Sequence, residues 1–228
     1  MHRTWRVLLG EKNHLGRRYA MFLLGLFVCS FGVALTTKAG LGTSPVTCIP
    51  YTLALILPGL SFGNWLILFC FAQILVQILL LRRRCVPSEL LIQAVLGFAY
   101  GYLTDLSMFL LRNLAPVRYP VRLCILALGC AVLAFGVYLE LVGDVGMLSG
   151  DAFIKAIAQV AKKPYSNIKI KTDISMCAIA VVLCLVFLGG LEGVREGTLI
   201  AAFLVGGYIQ VYHKLLFRFV ERFLPAYR

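Results

Sequence analysis

The stretch "AGLGTSPVTCIPYTLALI", residues 39–56, interrupts a chain that is otherwise close to continuously apolar. It follows directly on an apolar run over 19–37, and roughly 20 such residues cross a bilayer. Gly40, Gly42 and Pro45 then break the helix. A second apolar segment, 46–57, is too short to span. Backbone that leaves helical form at membrane depth is tolerated only where it is buried in protein or lines a water-filled cavity. The break therefore predicts an internal half-helix. Pro45 suits its first turn, and Thr43 and Ser44 offer hydroxyls to its free N–H groups. The N-terminus of such a half-helix is a donor site for an anionic or carbonyl group.

The same order of parts returns 104 residues later. "FGVAL" at 31–35 falls on "FGVYL" at 135–139, "AGLG" at 39–42 on "GDVG" at 143–146, and a second short segment follows over 151–162. Gly143, Gly146 and Gly150 allow the turn there, and Ser149 offers the capping hydroxyl. Asp144 and Asp151 flank this second break and have no acidic counterpart in the first. Asp151 matches a helix start, and the pair also suits a proton or cation site. "GFAYGYLTDL" at 97–106 resembles "VGGYIQVYHKL" at 205–215. Each half holds three spans, an odd number, so the second copy enters the membrane from the opposite face. That is the inverted repeat common among secondary transporters. The short segments also suit helices lying flat at the interface, and "DAFIKAIAQVAK" is amphipathic enough for it. The sequence leaves both open.

Composition agrees with a lipid solvent. The 228 residues are 61% hydrophobic and only 14% charged, with a mean hydropathy of +0.89. Six stretches qualify as spans: 19–37, 63–81, 88–111, 120–141, 168–190 and 197–217. The first, preceded by Arg17 and Arg18, could be taken for a signal peptide, but five further spans favour a retained helix. The net charge of +12 comes from residues between spans, which indicates anionic lipid rather than nucleic acid as the electrostatic partner. With the N-terminus cytoplasmic, 17 Lys and Arg fall inside and five outside, namely Lys38, Arg112, Arg118, Arg122 and Arg195. This asymmetry predicts six spans with both ends inside. The expected parts are a basic cytoplasmic segment 1–18, a first repeat 19–112, a second repeat 119–217 and a basic tail 218–228.

Charges inside spans mark candidate sites. Asp105 precedes the outer end of the third span by nearly two turns, and an interfacial role suits it equally. Lys169 and Asp173, four apart, can pair on one helix face. Lys171 then either snorkels to the interface or faces a cavity. Gln73, Gln77, Gln93 and Gln210 suit hydrogen bonds between helices, and Thr198 can cap or line the sixth span. The eight cysteines form no CxxC and lie mostly in apolar runs, where they pack as small hydrophobes. His2, His14 and His213 are scattered. There is no zinc pattern, phosphate loop or catalytic triad, so the reading is of a non-enzyme with no cofactor or metal.

At "FGVALTTKAGLGTSP", "KIKTDI", "GTLIAAFLVG" and the Asp105 of "GYLTD", the chain resembles the YczE/YitT family of multipass bacterial membrane proteins, over about residues 20–216. The resemblance implies a bacterial inner-membrane protein, of a family largely described without a settled activity. The residues lead to an all-α permease for a small polar or anionic solute, with alternating access between the repeats. Its substrate residues are expected to be Gly40, Gly42, Thr43, Ser44, Pro45, Gly146, Ser149 and Gly150, with Asp105, Asp144, Asp151, Lys171 and Asp173 as polar intramembrane or coupling groups. A channel, or an accessory or substrate-capturing subunit of a larger complex, fits the same features. A bundle this small also suits a homodimer.

Overall fold

A computed structural model describes residues 15–82, 85–143 and 145–223. These form eight helices: α1 (Leu15–Lys38), α2 (Cys48–Ile56), α3 (Phe62–Leu81), α4 (Pro87–Leu110), α5 (Tyr119–Gly143), α6 (Ser149–Ala161), α7 (Tyr165–Leu183) and α8 (Glu196–Phe223). A π-helical turn, Cys184–Leu188, continues α7 and ends at Gly189, φ +66°. Six of the helices are long and apolar enough to cross a membrane. The two short ones, α2 and α6, fall at the two predicted breaks.

The predicted boundaries shift for local reasons. α2 begins at Cys48 rather than 46, because Thr47 N–H closes a turn onto Ser44 O at 3.0 Å with Pro45 inside it. Pro45 therefore sits in the turn ahead of the helix and not in its first turn. α6 begins two residues early, at Ser149, and stops where Lys162 takes a left-handed conformation, φ +52°. α8 runs to Phe223, so the expected tail begins as helix; "RFVERF" contains no residue that would end one.

The centre is the seam between α1 and α5, the most extensive helix packing in the molecule. Gly25 and Gly32 on α1, and Gly129, Gly136 and Gly143 on α5, recur every seven residues, which keeps them on one helix face. A Cβ on Gly32 would collide with the backbone of Leu133, and one on Gly136 with the backbone of Cys29. Gly25 faces Leu139 and Glu140, while Gly129 faces Leu35 and Thr36, so the helices run antiparallel. Lipid tails are as apolar as leucine, so close backbone approach is what holds such helices together.

The remaining helices flank this seam. α4 packs on α1 and α3, and α8 packs on α5. α2 lies against α3 and α7, and α6 lies against the same two helices. α3 and α4 pack tightly, with Gly63 and Gly101 in backbone contact, whereas α7 and α8 share no comparable contact among the described residues. α2 carries no exposed residue, and Cys48 and Thr52 are fully buried. On α6, Ile154 and Ala156 are buried as well. α2 is thus inside the bundle, while α6 buries one face and exposes Lys155, Gln159 and Val160 on the other.

Candidate functional site

The two breaks converge. Val46, just before α2, places its Cγ1 3.4 Å from the point where a Cβ on Gly150 would sit, and Gly150 is the second residue of α6. The segment just ahead of α2 therefore packs against the start of α6. Neither helix carries a side-chain cap: Thr47 makes no such bond and Leu148 has no hydroxyl. The expected capping by Thr43, Ser44 and Ser149 does not occur, because these hydroxyls have other partners.

On the α2 side, Thr37, Thr43, Thr47 and Ser44 form a buried hydroxyl chain. Thr37 and Thr43 are 3.0 Å apart, Thr43 and Thr47 3.0 Å, and Ser44 and Thr47 2.8 Å. All four are buried. Gly40 at φ +69° and Gly42 at φ +104° hold conformations that side chains resist. A Cβ on Gly42 would collide with Thr198 Oγ1, a fully buried hydroxyl with no hydrogen-bond partner. Gly197 N–H donates to Leu41 O at 2.9 Å, which ties the start of α8 to this break. Arg122 is the side chain nearest Gly40, and Arg195 Nη1 donates to Gly40 O at 3.5 Å.

On the α6 side the polar network is built from α3 and α4. Ser149 Oγ donates to Gln73 Oε1 at 3.0 Å, and Gln77 Nε2 donates to Gln93 Oε1 at 3.0 Å and to Ser149 O at 3.3 Å. Gln73 is only 5% exposed, and its Nε2 has no partner. That nitrogen lies 3.9 Å from the position a Cβ on Gly150 would take. Gly146 is enclosed by Leu96, Ile92 and Phe22.

Gly40, Gly42, Thr43, Ser44, Pro45, Ser149 and Gly150 are therefore gathered at the two breaks, with Gly146 beside them. Asp105, Lys171 and Asp173 are not, whereas Asp151 stands in the first turn of α6. Asp105 accepts from Ser61 Oγ at 2.5 Å and from Gly63 N–H at 2.7 Å, so it holds the start of α3. Asp173 pairs with Lys169 at 3.2 Å, Lys171 is exposed, and Asp151 accepts from Tyr165 Oη at 2.9 Å. Asp144 lies outside the described residues. Of the glutamines, Gln210 is exposed and joins no network.

Sequence reasoning missed the hydroxyls of Thr37 and Thr47 and three charges at the helix ends. Arg18 is 8% exposed with an unpartnered Nε, and Glu140 has an unpartnered, buried Oε1. Arg122 is the third. One signal was legible: Arg18 and Arg122 are themselves 104 residues apart.

Six helices long and apolar enough to cross a membrane, with two short helices among them, mark a multipass helical membrane protein. The chain belongs to a family of unknown function, DUF6198, whose pattern it matches over residues 16–214. It is also similar to the uncharacterized protein YyaS of Bacillus subtilis (strain 168), 26% identical over 126 residues. That match covers 55% of this chain and 56% of YyaS, so the chain spans little more than half of that relative's length. No solved structure matches it.

Proposed function

We propose that this protein is a permease for a small polar or anionic solute, built as two inverted repeats that alternate access around the junction of α2 and α6. The observation that carries the reading is the approach of Val46 to Gly150, which brings the segment just ahead of α2 against the uncapped start of α6. Secondary transporters place their substrate at such a meeting of broken helices.

The seam supports the duplication. Gly25 and Gly129, Gly32 and Gly136, and Ala39 and Gly143 are each 104 residues apart. Their contacts exchange as a two-fold axis requires: Gly25 touches Leu139, and Gly129 touches Leu35, the residue 104 before Leu139. The other packings pair off in the same way. α1 meets α4 as α5 meets α8, α2 meets α3 as α6 meets α7, and α3 meets α6 as α7 meets α2. The Lys and Arg distribution supports both ends being cytoplasmic. The YczE/YitT resemblance adds a bacterial inner membrane as the setting.

Accessibility tests this. In a variant without native cysteines, Ser44→Cys should react with an impermeant thiol reagent from outside, and Ser149→Cys from inside. Labelling of neither from any face would overturn the reading.

A further inference from the structure

We infer that the α2–α6 junction binds an oxyanion, either an inorganic one such as phosphate or sulfate or the carboxylate of a small organic acid. This rests on the permease reading and adds its substrate class.

The first N–H groups of a helix have no partner inside it. Cys48 and Ile49 supply such groups on α2, and Ser149, Gly150 and Asp151 supply them on α6. Each helix start also carries about half a positive charge. Asp151 offsets this charge in the first turn of α6, but α2 has no acidic residue in its first turn, so its start is left uncompensated. Gln73 adds a side-chain donor at the same place: its Oε1 is taken by Ser149, and its buried Nε2 is left without an acceptor. A buried donor without an acceptor costs about 1–3 kcal/mol, and such groups are rare in folded proteins.

No nearby carboxylate supplies the missing acceptor. Asp151, in the first turn of α6, accepts from Tyr165. Glu140, on α5, has an oxygen with no donor of its own and so does not meet Gln73. Asp105 is engaged at the start of α3. A ligand with two or more acceptor oxygens and a negative charge fits donors drawn from the start of α6, the nearby break ahead of α2 and the Gln73 amide.

The approaches match that ligand. Arg122 and Arg195 stand at Gly40 beside the first break. Arg18, the residue 104 before Arg122, has its backbone carbonyl beside Gly143 at the second, and the Nε of its side chain is buried and unpartnered. Cationic groups at the first break raise the local concentration of anions.

The test is thermal unfolding of the purified full-length protein in neutral detergent. Phosphate, sulfate, succinate, glucose and choline are titrated at constant ionic strength. At least one of the three anions should raise the midpoint in a saturable way, with inorganic anions and succinate distinguishing the two sources, while glucose and choline should not. Gln73→Glu puts an acceptor where the donor was and should weaken the anion response at least about tenfold, the loss of one hydrogen bond to a charged group. Ser149→Ala serves as the second variant should Gln73→Glu fail to fold, and should weaken it as well. A saturable response to glucose or choline, or no saturable response to any anion, would overturn the inference, as would an anion response that both variants keep unchanged. Flux into liposomes separates the two claims. Anion binding that depends on Gln73 without any flux would sink the permease and leave the site. Flux of a neutral solute that Gln73→Glu leaves intact would sink the site and leave the permease.

Discussion

At Gly32 and Gly136 the chain has no room for a side chain, because each faces the backbone of the opposite helix of the seam. Gly136→Val should force α1 and α5 apart, with the cost of about 1–3 kcal/mol usual for overpacking. The check is a lower unfolding midpoint than that of Gly207→Ala, which adds its methyl where nothing lies within 4 Å. Asp105 presents the opposite case, a charged group inside a span that the structure uses as a clamp. Asp105→Ala should lower stability by about 1–3 kcal/mol through the stranded, buried Gly63 N–H, and should leave the labelling of Ser44→Cys and Ser149→Cys unchanged. A loss of that labelling with normal stability would restore Asp105 to the transport pathway.

Among the elements, the breaks matter most. Gly42 combines φ +104° with a contact to Thr198 at the start of α8. Gly42→Ala strains the backbone by about 1–2 kcal/mol and pushes against Thr198. Amide exchange over residues 189–198 should accelerate, while exchange in α4 should not change. These elements were also the most readable in the sequence. The six spans, the two Gly-rich breaks and the dozen-residue helices after them follow from hydropathy, length and glycine placement. The partners at the breaks were not readable. Ser44 and Ser149 were expected to cap their helices, because capping is local; instead they bond Thr47 and Gln73. The second of these partners comes from α3, whose register against α6 no local pattern reveals. Arg18 and Glu140 were passed over for a related reason: each lies near a predicted span end, where a charge ordinarily faces water.

The whole molecule is less symmetric than its repeat. α3 packs on α4, and α7 stands away from α8. If the two halves exchange these arrangements during transport, α3 and α4 must part. Gly97→Cys, in a variant that keeps only Cys70 of the native cysteines, tests this. A Cβ on Gly97 would lie 3.6 Å from Cys70 Sγ, close enough for a bridge after small adjustment. Oxidation should arrest solute flux and reduction should restore it; full flux in the bridged protein would exclude separation of α3 from α4. The central claim, that the two breaks meet inside the bundle, has a more direct test. Val46→Cys with Gly150→Cys, in a chain without other cysteines, places two thiols on opposite sides of the observed contact. Mass spectrometry after mild oxidation in native membranes should find an intramolecular bridge between residues 46 and 150. Two free thiols, each labelled from the membrane surface, would place the short helices apart and contradict the account.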